Sequence, residues 1–174
     1  DILSIVMERA ELPQARVTIP KMLEPISIQG ITIVPFEGLH WEKQLDDADK
    51  PLRGVPSVGY RVEFNNKRWL FPGDTRSYDA CLLPDFGPVD GVFAHVWLGR
   101  EAALLGHPPL LEDFCRFYLD LSPNRLVLAH LEESGRDAND YWDDGHASIV
   151  MRRWREIAPG IPVIASYMGD SVGL

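Results

Sequence analysis

The sequence predicts an α/β domain with a mixed sheet and flanking helices. Asn65 and Asn66 lie between two runs of β-favouring residues, and this pattern predicts a β-hairpin because asparagine tolerates positive φ. The segment 91–130 has the order strand, helix, strand, and such a crossover makes its two strands parallel. One antiparallel pair and one parallel pair together indicate a mixed sheet.

The amino-terminal part of the chain predicts a short helix followed by a small β-meander. Residues 1–10 place apolar side chains on one face of a helix. The segments 16–19, 26–28 and 31–36 are short β-favouring runs separated by proline and glycine turns. A polar surface loop over 37–55 comes next, and loops in such a place often cover a site.

The rest of the chain alternates strands with two clear helices. Apolar residues recur at helical spacing over 110–121 and around 150–158, so both segments predict amphipathic helices. A brief helical segment is predicted over 77–83. The predicted strands are 57–64, 67–71, 91–96 and 125–129, with a closing β-pair formed by 162–166 and a short piece near Val172.

Composition sets limits on the class of protein. The chain has 174 residues, 45% of them hydrophobic, and no convincing boundary, so 1–174 is predicted to be a single domain. No apolar run is long enough to predict a membrane span. The net charge is -9, with 26 acidic residues against 17 basic ones, which disfavours a general nucleic-acid surface. Cys81 and Cys115 match no metal spacing or disulfide framework, so a reducing, cytoplasmic setting is predicted.

Three predicted strands lead to residue types that bind metals. The strand 31–36 leads to His40, the strand that ends at Phe71 leads to Asp74 in a Gly-Asp-Thr turn, and a third leads directly to His130. If these strands lie in one sheet and point the same way, the three side chains meet at one edge, with His95 near it. Two imidazoles and a carboxylate suit zinc or a similar divalent ion. Each residue alone is more often a turn, cap or structural residue.

The order of these motifs resembles the second half of the metallo-β-lactamase superfamily, and within it ribonuclease Z and related phosphodiesterases. The resemblance covers about 31 to 174 and rests mainly on Gly73-Asp74-Thr75 and on Leu128-Ala129-His130. It implies the C-terminal half of an αββα sandwich, with a mixed sheet and flanking helices. It also implies metal-assisted hydrolysis of a phosphodiester or another ester-type substrate.

The resemblance also implies roles for individual residues. His40 would bind one of two divalent ions, His130 would bind the second, and Asp74 would bridge them; zinc is the first expectation, with manganese or iron as alternatives. His107 resembles a histidine that assists the leaving group, although Pro108-Pro109 follows it here instead of serine or threonine. His95 stands where the group has a His-Glu pair, which favours a structural or indirect role. Thr75 is expected to orient the bridging carboxylate.

One motif of the superfamily does not occur in the sequence. There is no His-x-His-x-Asp-His stretch, which supplies most of the ligands, and the chain begins at Asp1 instead of methionine. We therefore expect this chain alone to be inactive and the N-terminal half to come from a longer protein or a second chain, with a homodimer possible. Small phosphodiesters, lactones and thioesters all stay open as substrates.

Two other readings of the sequence compete with a hydrolase. One is a metallo-β-lactamase fold that serves as a non-catalytic binding or assembly module, and the other is an α/β domain whose histidines merely cap strands. The acidic segment 132–144 lacks calcium-loop spacing, so a solvated loop is expected there. His146 follows Asp143 at a helix start, where capping is the better explanation. Trp142 is expected either to line a pocket or to pack.

Overall fold

A mixed β-sheet organises the protein. The structure is a computed structural model, and it describes residues 2–13, 17–42 and 53–173. The strands are β1 (Ile26–Ile28), β2 (Ile31–Glu37), β3 (Trp41–Glu42), β4 (Arg53–Gly54), β5 (Val58–Phe64), β6 (Lys67–Phe71), β7 (Gly91–His95), β8 (Leu126–Ala129) and β9 (Val163–Ala165). Within the described residues, seven of them form one sheet in the order β1-β2-β5-β6-β7-β8-β9, and β3 pairs with β4.

The helices are α1 (Ile2–Arg9), α2 (Leu111–Asp120) and α3 (Asp144–Ile157), with short 3-10 turns at Ala80–Leu82 and Ala102–Leu104. All three helices were predicted from the periodicity of apolar residues. Among the described residues, no helix is both long and apolar enough to cross a membrane.

The strand directions bring several strand ends to one edge of the sheet. β1, β2, β5 and β6 pair antiparallel in succession, whereas β6, β7, β8 and β9 pair parallel. As a result β2, β6, β7, β8 and β9 all run in the same direction, so their carboxyl ends share one edge. The predicted mixed sheet is confirmed.

Local chemistry explains both kinds of pairing. Asn65 and Asn66 have φ values of 50° and 62°, which fit the tight turn that places Phe64 opposite Lys67 in the predicted hairpin. Helix α2 connects β7 to β8 as the predicted crossover, and Val92 pairs with Leu126 in a parallel register.

Both α2 and α3 contribute to the core on one face of the sheet. Side chains alternate between the two faces of a strand, so every second residue of β6, β7 and β8 points to the helices. The core on this side is built from fully buried sheet and helix residues, including Leu70, Val92, Ala94, Leu126, Leu128, Phe114, Tyr118, Val150 and Trp154.

The opposite face of the sheet is also apolar, and part of it is exposed. We call it the open face. By register it is formed by Ile26, Ile28, Ile31, Ile33, Pro35, Tyr60, Val62, Phe64, Trp69, Phe71, Phe93, Val127 and Ile164. Ile28 is 51% exposed and Phe64 is 46% exposed. A sheet with two apolar faces is typical of a strand layer that packs between two other layers.

Three local predictions differ from the structure. Residues 17–19 form no strand, because Pro20 follows at once and cannot donate to a ladder; Arg16 lies outside the described residues. The predicted loop over 37–55 contains the β3–β4 pair, and 43–52 lie outside the described residues. The closing β-pair is wrong: β9 pairs with β8, and 166–173 form no strand, because the connection through α3 brings β9 back parallel to β8.

Candidate metal centre

The shared edge of the sheet collects the predicted ligands. His40 follows the end of β2, Asp74 follows the end of β6, and His130 comes directly after β8. His95 is the last residue of β7, which lies between β6 and β8. The expectation that three strands of one sheet deliver these side chains to one edge is therefore met.

Asp74 lies at the centre of this group, and its two oxygens face different histidines. Oδ2 is 3.8 Å from Nε2 of His40, whereas Oδ1 is 3.7 Å from Nε2 of His130. Oδ1 also lies 2.6 Å from Nδ1 of His95, which is a hydrogen bond. Asp74, His95 and His130 each offer one ligand atom, and these atoms lie within 4.8 Å of one another.

The backbone of His130 decides where its side chain goes. His130 has a φ of 67°, a left-handed conformation that is uncommon for residues other than glycine. His95 pairs in register with Ala129, so both point to the open face, and regular alternation would send the next residue to the other side. The positive φ accounts for the observed stacking of His130 on His95, with ring centroids 5.1 Å apart and planes at 15°.

The electrostatics keep Asp74 and His130 in the protonation states that bind metal. The hydrogen bond from His95 holds the pKa of Asp74 far below its usual range; burial opposes this shift, and the nearby His130 and His40 reinforce it. Burial lowers the pKa of His130 below its ordinary value, although the Asp74 carboxylate acts in the opposite direction. An ionised carboxylate and a neutral imidazole are the forms that ligate divalent ions.

Two buried imidazole nitrogens have no hydrogen-bond partner in the part of the chain that the structure describes. They are Nδ1 of His40 and Nδ1 of His130. Buried polar atoms in folded proteins are nearly always paired. Side-chain atoms of Ser57, Arg61, Trp69 and Tyr118 are also buried without a partner, so the two nitrogens by themselves do not indicate a bound ion.

The turn that carries Asp74 is held by its neighbours. Gly73 has a φ of 75°, which glycine adopts without steric cost. Thr75 is 1% exposed, and its Oγ1 donates to the Gly73 carbonyl over 3.3 Å. The hydroxyl of Thr75 thus bonds the backbone of the turn that carries Asp74, and its role in orienting the carboxylate stays a prediction.

A shallow cleft, open to solvent, lies over Asp74, His95 and His130. Its walls combine carboxylates, imidazoles, guanidinium groups and indoles, from Asp74, Thr75, Arg76, His95, Trp97, His130, Arg136, Asp140 and Trp142. Arg76 lies over the Trp97 ring, 5.5 Å from its centroid. Trp142 is buried and also lines the cleft, so it has both of the roles that the sequence left open.

The acidic segment after β8 contributes a cation to this cleft. Arg136 pairs with Glu133 and, over 2.9 Å, with Asp140. Its Nη2 lies 3.2 Å from Nε2 of His130, and Oε2 of Glu133 lies 3.0 Å from the same nitrogen. Sequence reasoning missed Arg136, because a single arginine in an acidic loop carries no motif.

The two remaining predicted histidines lie elsewhere. His107 is on an exposed turn before α2 and does not line the cleft, so the structure does not bring it to Asp74. His146 belongs to the start of α3, where Asp143 accepts hydrogen bonds from the backbone N–H groups of Gly145 and His146. The predicted capping role of this segment is confirmed.

Fold and site together define an α/β domain with a candidate metal site at the carboxyl edge of its sheet. The profile of the beta-lactamase superfamily domain matches residues 3–131. Because the match covers most of the chain, this protein belongs to that family. A search among curated proteins found no match.

Solved structures show the same fold at low sequence identity. Igni18, a metallo hydrolase from Ignicoccus hospitalis, is 15% identical with a TM-score of 0.59 and aligns over 98% of this chain and 72% of its own. The metallo-beta-lactamase fold protein YhfI from Bacillus subtilis is 15% identical with a TM-score of 0.54, over 86% of this chain and 52% of its own. Zinc-bound PqqB from Methylobacterium extorquens is 15% identical with a TM-score of 0.54, over 99% and 62%.

These comparisons confirm the metallo-β-lactamase fold that the motif order predicts. They do not single out the ribonuclease Z group. The chain spans about half the length of YhfI and less than two thirds of PqqB.

Proposed function

We propose that this chain carries part of a metal-dependent hydrolase centre that holds two divalent ions and cleaves a phosphodiester or another ester-type bond. The observation that carries the proposal is the position of Asp74 between two histidines, with Oδ2 facing His40 and Oδ1 facing His130. A carboxylate in that position can bridge two ions. His40 and His130 would then each bind a different ion.

The residues present fit such ions chemically. Imidazole nitrogen and carboxylate oxygen are ligands for zinc, and also for manganese and iron. Asp74 is ionised and His130 is neutral near pH 7, and Nε2 of both His40 and His130 faces the carboxylate. When bound, two divalent ions would supply Lewis acidity and an activated water nucleophile for hydrolysis.

The side chains around the cleft would bind and orient the substrate. Arg76 and Arg136 place two guanidinium groups at its wall, and these groups attract the anionic group of a phosphodiester or carboxylate. Trp97 and Trp142 offer indole surfaces that would hold an apolar or planar part of the substrate.

His107 is retained as the group that gives a proton to the leaving oxygen, and this role needs the exposed turn before α2 to approach the cleft. His107→Ala should then lower kcat for a substrate with a poor leaving group and leave the metal content unchanged. The same variant should have little effect on an activated nitrophenyl ester, whose leaving group needs no proton. Equal losses with both substrates would remove His107 from the mechanism.

The net charge of the chain narrows the substrate class. A net charge of -9 disfavours a long RNA held along a broad surface, so we propose a small phosphodiester, lactone or thioester. Ribonuclease Z-like phosphodiesterase activity is the specific form that the motif order supports.

The complete centre needs residues beyond those described. Zinc takes about four ligands, and two ions cannot reach that number with His40, Asp74 and His130 alone. The open face gives a physical reason to expect a further layer, because exposed residues such as Phe64 and Ile28 lose contact with water when covered. We propose that this layer is the N-terminal half of the sandwich or a second chain.

A non-catalytic binding or assembly module is the second candidate. It is favoured by the lack of a His-x-His-x-Asp-His stretch in the sequence and by the contact of Arg136 with His130. Such a module would use the same fold without turnover.

Metal content decides between the two. Plasma mass spectrometry should be applied to chelator-free, tag-free preparations of this chain and of any longer polypeptide that contains it. We expect two ions per complete protein, a loss of both with Asp74→Ala, and hydrolysis of bis(nitrophenyl) phosphate or a nitrophenyl ester. Asp120→Ala, which removes an exposed carboxylate at the end of α2 that does not line the cleft, serves as the matched control for Asp74→Ala. A complete protein that stays metal-free after reconstitution would leave only the binding module.

A further inference from the structure

We propose that this chain, by itself, binds one divalent transition-metal ion through Asp74, His95 and His130, and that His40 is not a ligand of this ion. The proposal rests on the proposed function only in taking Asp74 and His130 as ligands. It adds His95, to which the resemblance gives a structural or indirect role. It also removes the need for another segment to complete the first metal site.

The distances support one ion among these three side chains. Two ligand atoms of a tetrahedral zinc ion lie about 3.3 Å apart, given metal–ligand distances near 2.0 Å. The separations from Oδ1 of Asp74 are 2.6 Å to Nδ1 of His95 and 3.7 Å to Nε2 of His130, which bracket that value. His40 faces the other oxygen, Oδ2, at 3.8 Å, and it is not among the residues whose ligand atoms lie within 4.8 Å of one another.

The backbone holds the two imidazoles in fixed relative positions. β7 and β8 are adjacent parallel strands in which His95 pairs with Ala129, and the positive φ of the next residue turns His130 back over His95. The two rings are stacked with centroids 5.1 Å apart. Ligands carried on neighbouring strands are placed more accurately than ligands on long loops. On binding, the side chains of Arg136 and Glu133, which lie 3.2 Å and 3.0 Å from Nε2 of His130, would move aside while the strands keep their positions.

The site is accessible and has the donor types of known three-residue centres. The Asp74 side chain is 41% exposed, and those of His95 and His130 are 31% and 19% exposed. Two histidines and one carboxylate hold zinc in several hydrolases and iron in oxygenases, and in both cases open positions remain. A mononuclear site of this kind does not require the missing motif.

The competing explanation is that His95 only orients Asp74 through its hydrogen bond. The substitution His95→Asn distinguishes a ligand from a residue that only orients Asp74, because the amide nitrogen of asparagine takes the place of Nδ1. It keeps the hydrogen bond to the carboxylate but is a poor ligand for zinc or cobalt. His95→Ala removes both interactions.

The test is a titration of the metal-stripped 174-residue chain with Co²⁺, followed by the visible absorption of the bound ion, with Zn²⁺ competition giving the affinity. We expect one equivalent to bind to the wild-type chain. His95→Asn and His130→Ala should weaken binding by more than about 100-fold, which exceeds the usual effect of residues that only support a ligand. His40→Ala should stay within about threefold, and circular dichroism should show that all variants are folded.

Three other results of this titration would overturn the proposal. Unchanged affinity in His95→Asn would make His95 a positioning residue, and an equal loss in His40→Ala would place the ion on the other side of Asp74. Neither result would contradict the proposed hydrolase, whose metals are measured in the complete protein. A wild-type chain that binds no Co²⁺ would refute the self-contained site, while metal and hydrolysis in the complete protein would still support the proposed function.

Discussion

His95 and His130 stack with ring centroids 5.1 Å apart, although one residue ends a regular strand and the other has left-handed backbone. The stacking therefore depends on an unfavourable backbone conformation at one position. Such strain is retained where the surrounding structure fixes the residue, and it is common at functional sites.

The strain at His130 predicts an unusual order of stability among variants. A left-handed φ costs an L-residue about 1–2 kcal/mol, and glycine does not have this cost. In the metal-free protein we expect His130→Gly to be more stable than His130→Ala by about 1 kcal/mol. Urea unfolding with a common slope measures this difference.

The neighbouring residue provides a matched control. Ala129 lies in β8 with regular strand pairing, so Ala129→Gly should reduce stability by about 0.5–1 kcal/mol, the opposite direction. If alanine at 130 proved as stable as glycine, the left-handed conformation would not be a cost to this fold.

Local sequence signals predicted much of the sheet correctly. The hairpin follows from Asn65 and Asn66, and the parallel pair follows from a helix long enough to cross between β7 and β8. These features depend on residues close together in the chain. The prediction of a closing β-pair was wrong because β9 pairs with β8. This pairing depends on long-range packing through α3, which no nearby residue indicates.

The candidate site was predictable in part for the same reason. The ends of the predicted strands indicated His40, Asp74 and His130, and the structure places the two histidines 3.8 Å and 3.7 Å from the Asp74 carboxylate. The contact between His95 and Asp74 could not be read from the sequence, since it depends on side-chain directions at the ends of two strands. The contact of Arg136 with His130 depends on the path of an irregular loop.

The cap of α3 predicts a stability effect that depends on pH. Asp143 accepts hydrogen bonds from the N–H groups of Gly145 and His146, at 2.9 Å and 3.2 Å, so Asp143→Ala should cost about 1 kcal/mol near pH 6. Burial tends to raise the pKa of Asp143, but the hydrogen bonds with His146 and Gly145 outweigh it and lower the pKa below 3.8. A lowered carboxyl pKa means that the stabilisation by the charge is complete above pH 3.8 and is lost as the pH falls through the folded-state pKa.

Unfolding in urea at pH 6 and pH 3 tests this expectation. The stability difference between wild type and Asp143→Ala should shrink at pH 3. Asp143→Asn keeps a capping acceptor but carries no charge, so its difference from Asp143→Ala should stay constant between the two pH values. A wild-type advantage that does not change with pH would show that the charge of Asp143 contributes nothing.

The open face predicts self-association of the isolated chain. Phe64 is 46% exposed at the end of β5, and burying a phenylalanine side chain stabilises a contact by about 2 kcal/mol. Phe64→Glu should therefore weaken association in sedimentation velocity experiments. The fold should tolerate it, because Phe64 is the last residue of β5 and nearly half of it is already exposed to water.

Leu104→Glu is the matched control for charge and size. Leu104 is 66% exposed in a 3-10 turn and is not part of the open face, so its substitution should leave association unchanged. Equal effects of the two substitutions would mean that net charge, and not the open face, governs association.

We expect the metal affinity to rise when the positive charge of Arg136 is removed. Its Nη2 lies 3.2 Å from Nε2 of His130, so an ion bound at that nitrogen meets a nearby positive charge. Removing the charge should favour binding by about 1 kcal/mol, or about fivefold, because two like charges a few ångströms apart repel even near water. Zn²⁺ affinity of Arg136→Gln, measured by competition with a chromogenic chelator, should rise by that factor and the gain should decrease at high salt.

Arg153→Gln is the control for Arg136→Gln, because it changes the net charge by the same amount away from the candidate metal site. Arg153 pairs with Glu112 and Glu156 on the helices, so its loss should leave Zn²⁺ affinity unchanged. A lower affinity in Arg136→Gln would instead assign Arg136 the task of holding the His130 ring in its binding orientation. Arg136 also neutralises Glu133, whose Oε2 lies 3.0 Å from Nε2 of His130. Loss of Arg136 leaves this carboxylate unpaired, and its negative charge should raise the Zn²⁺ affinity further.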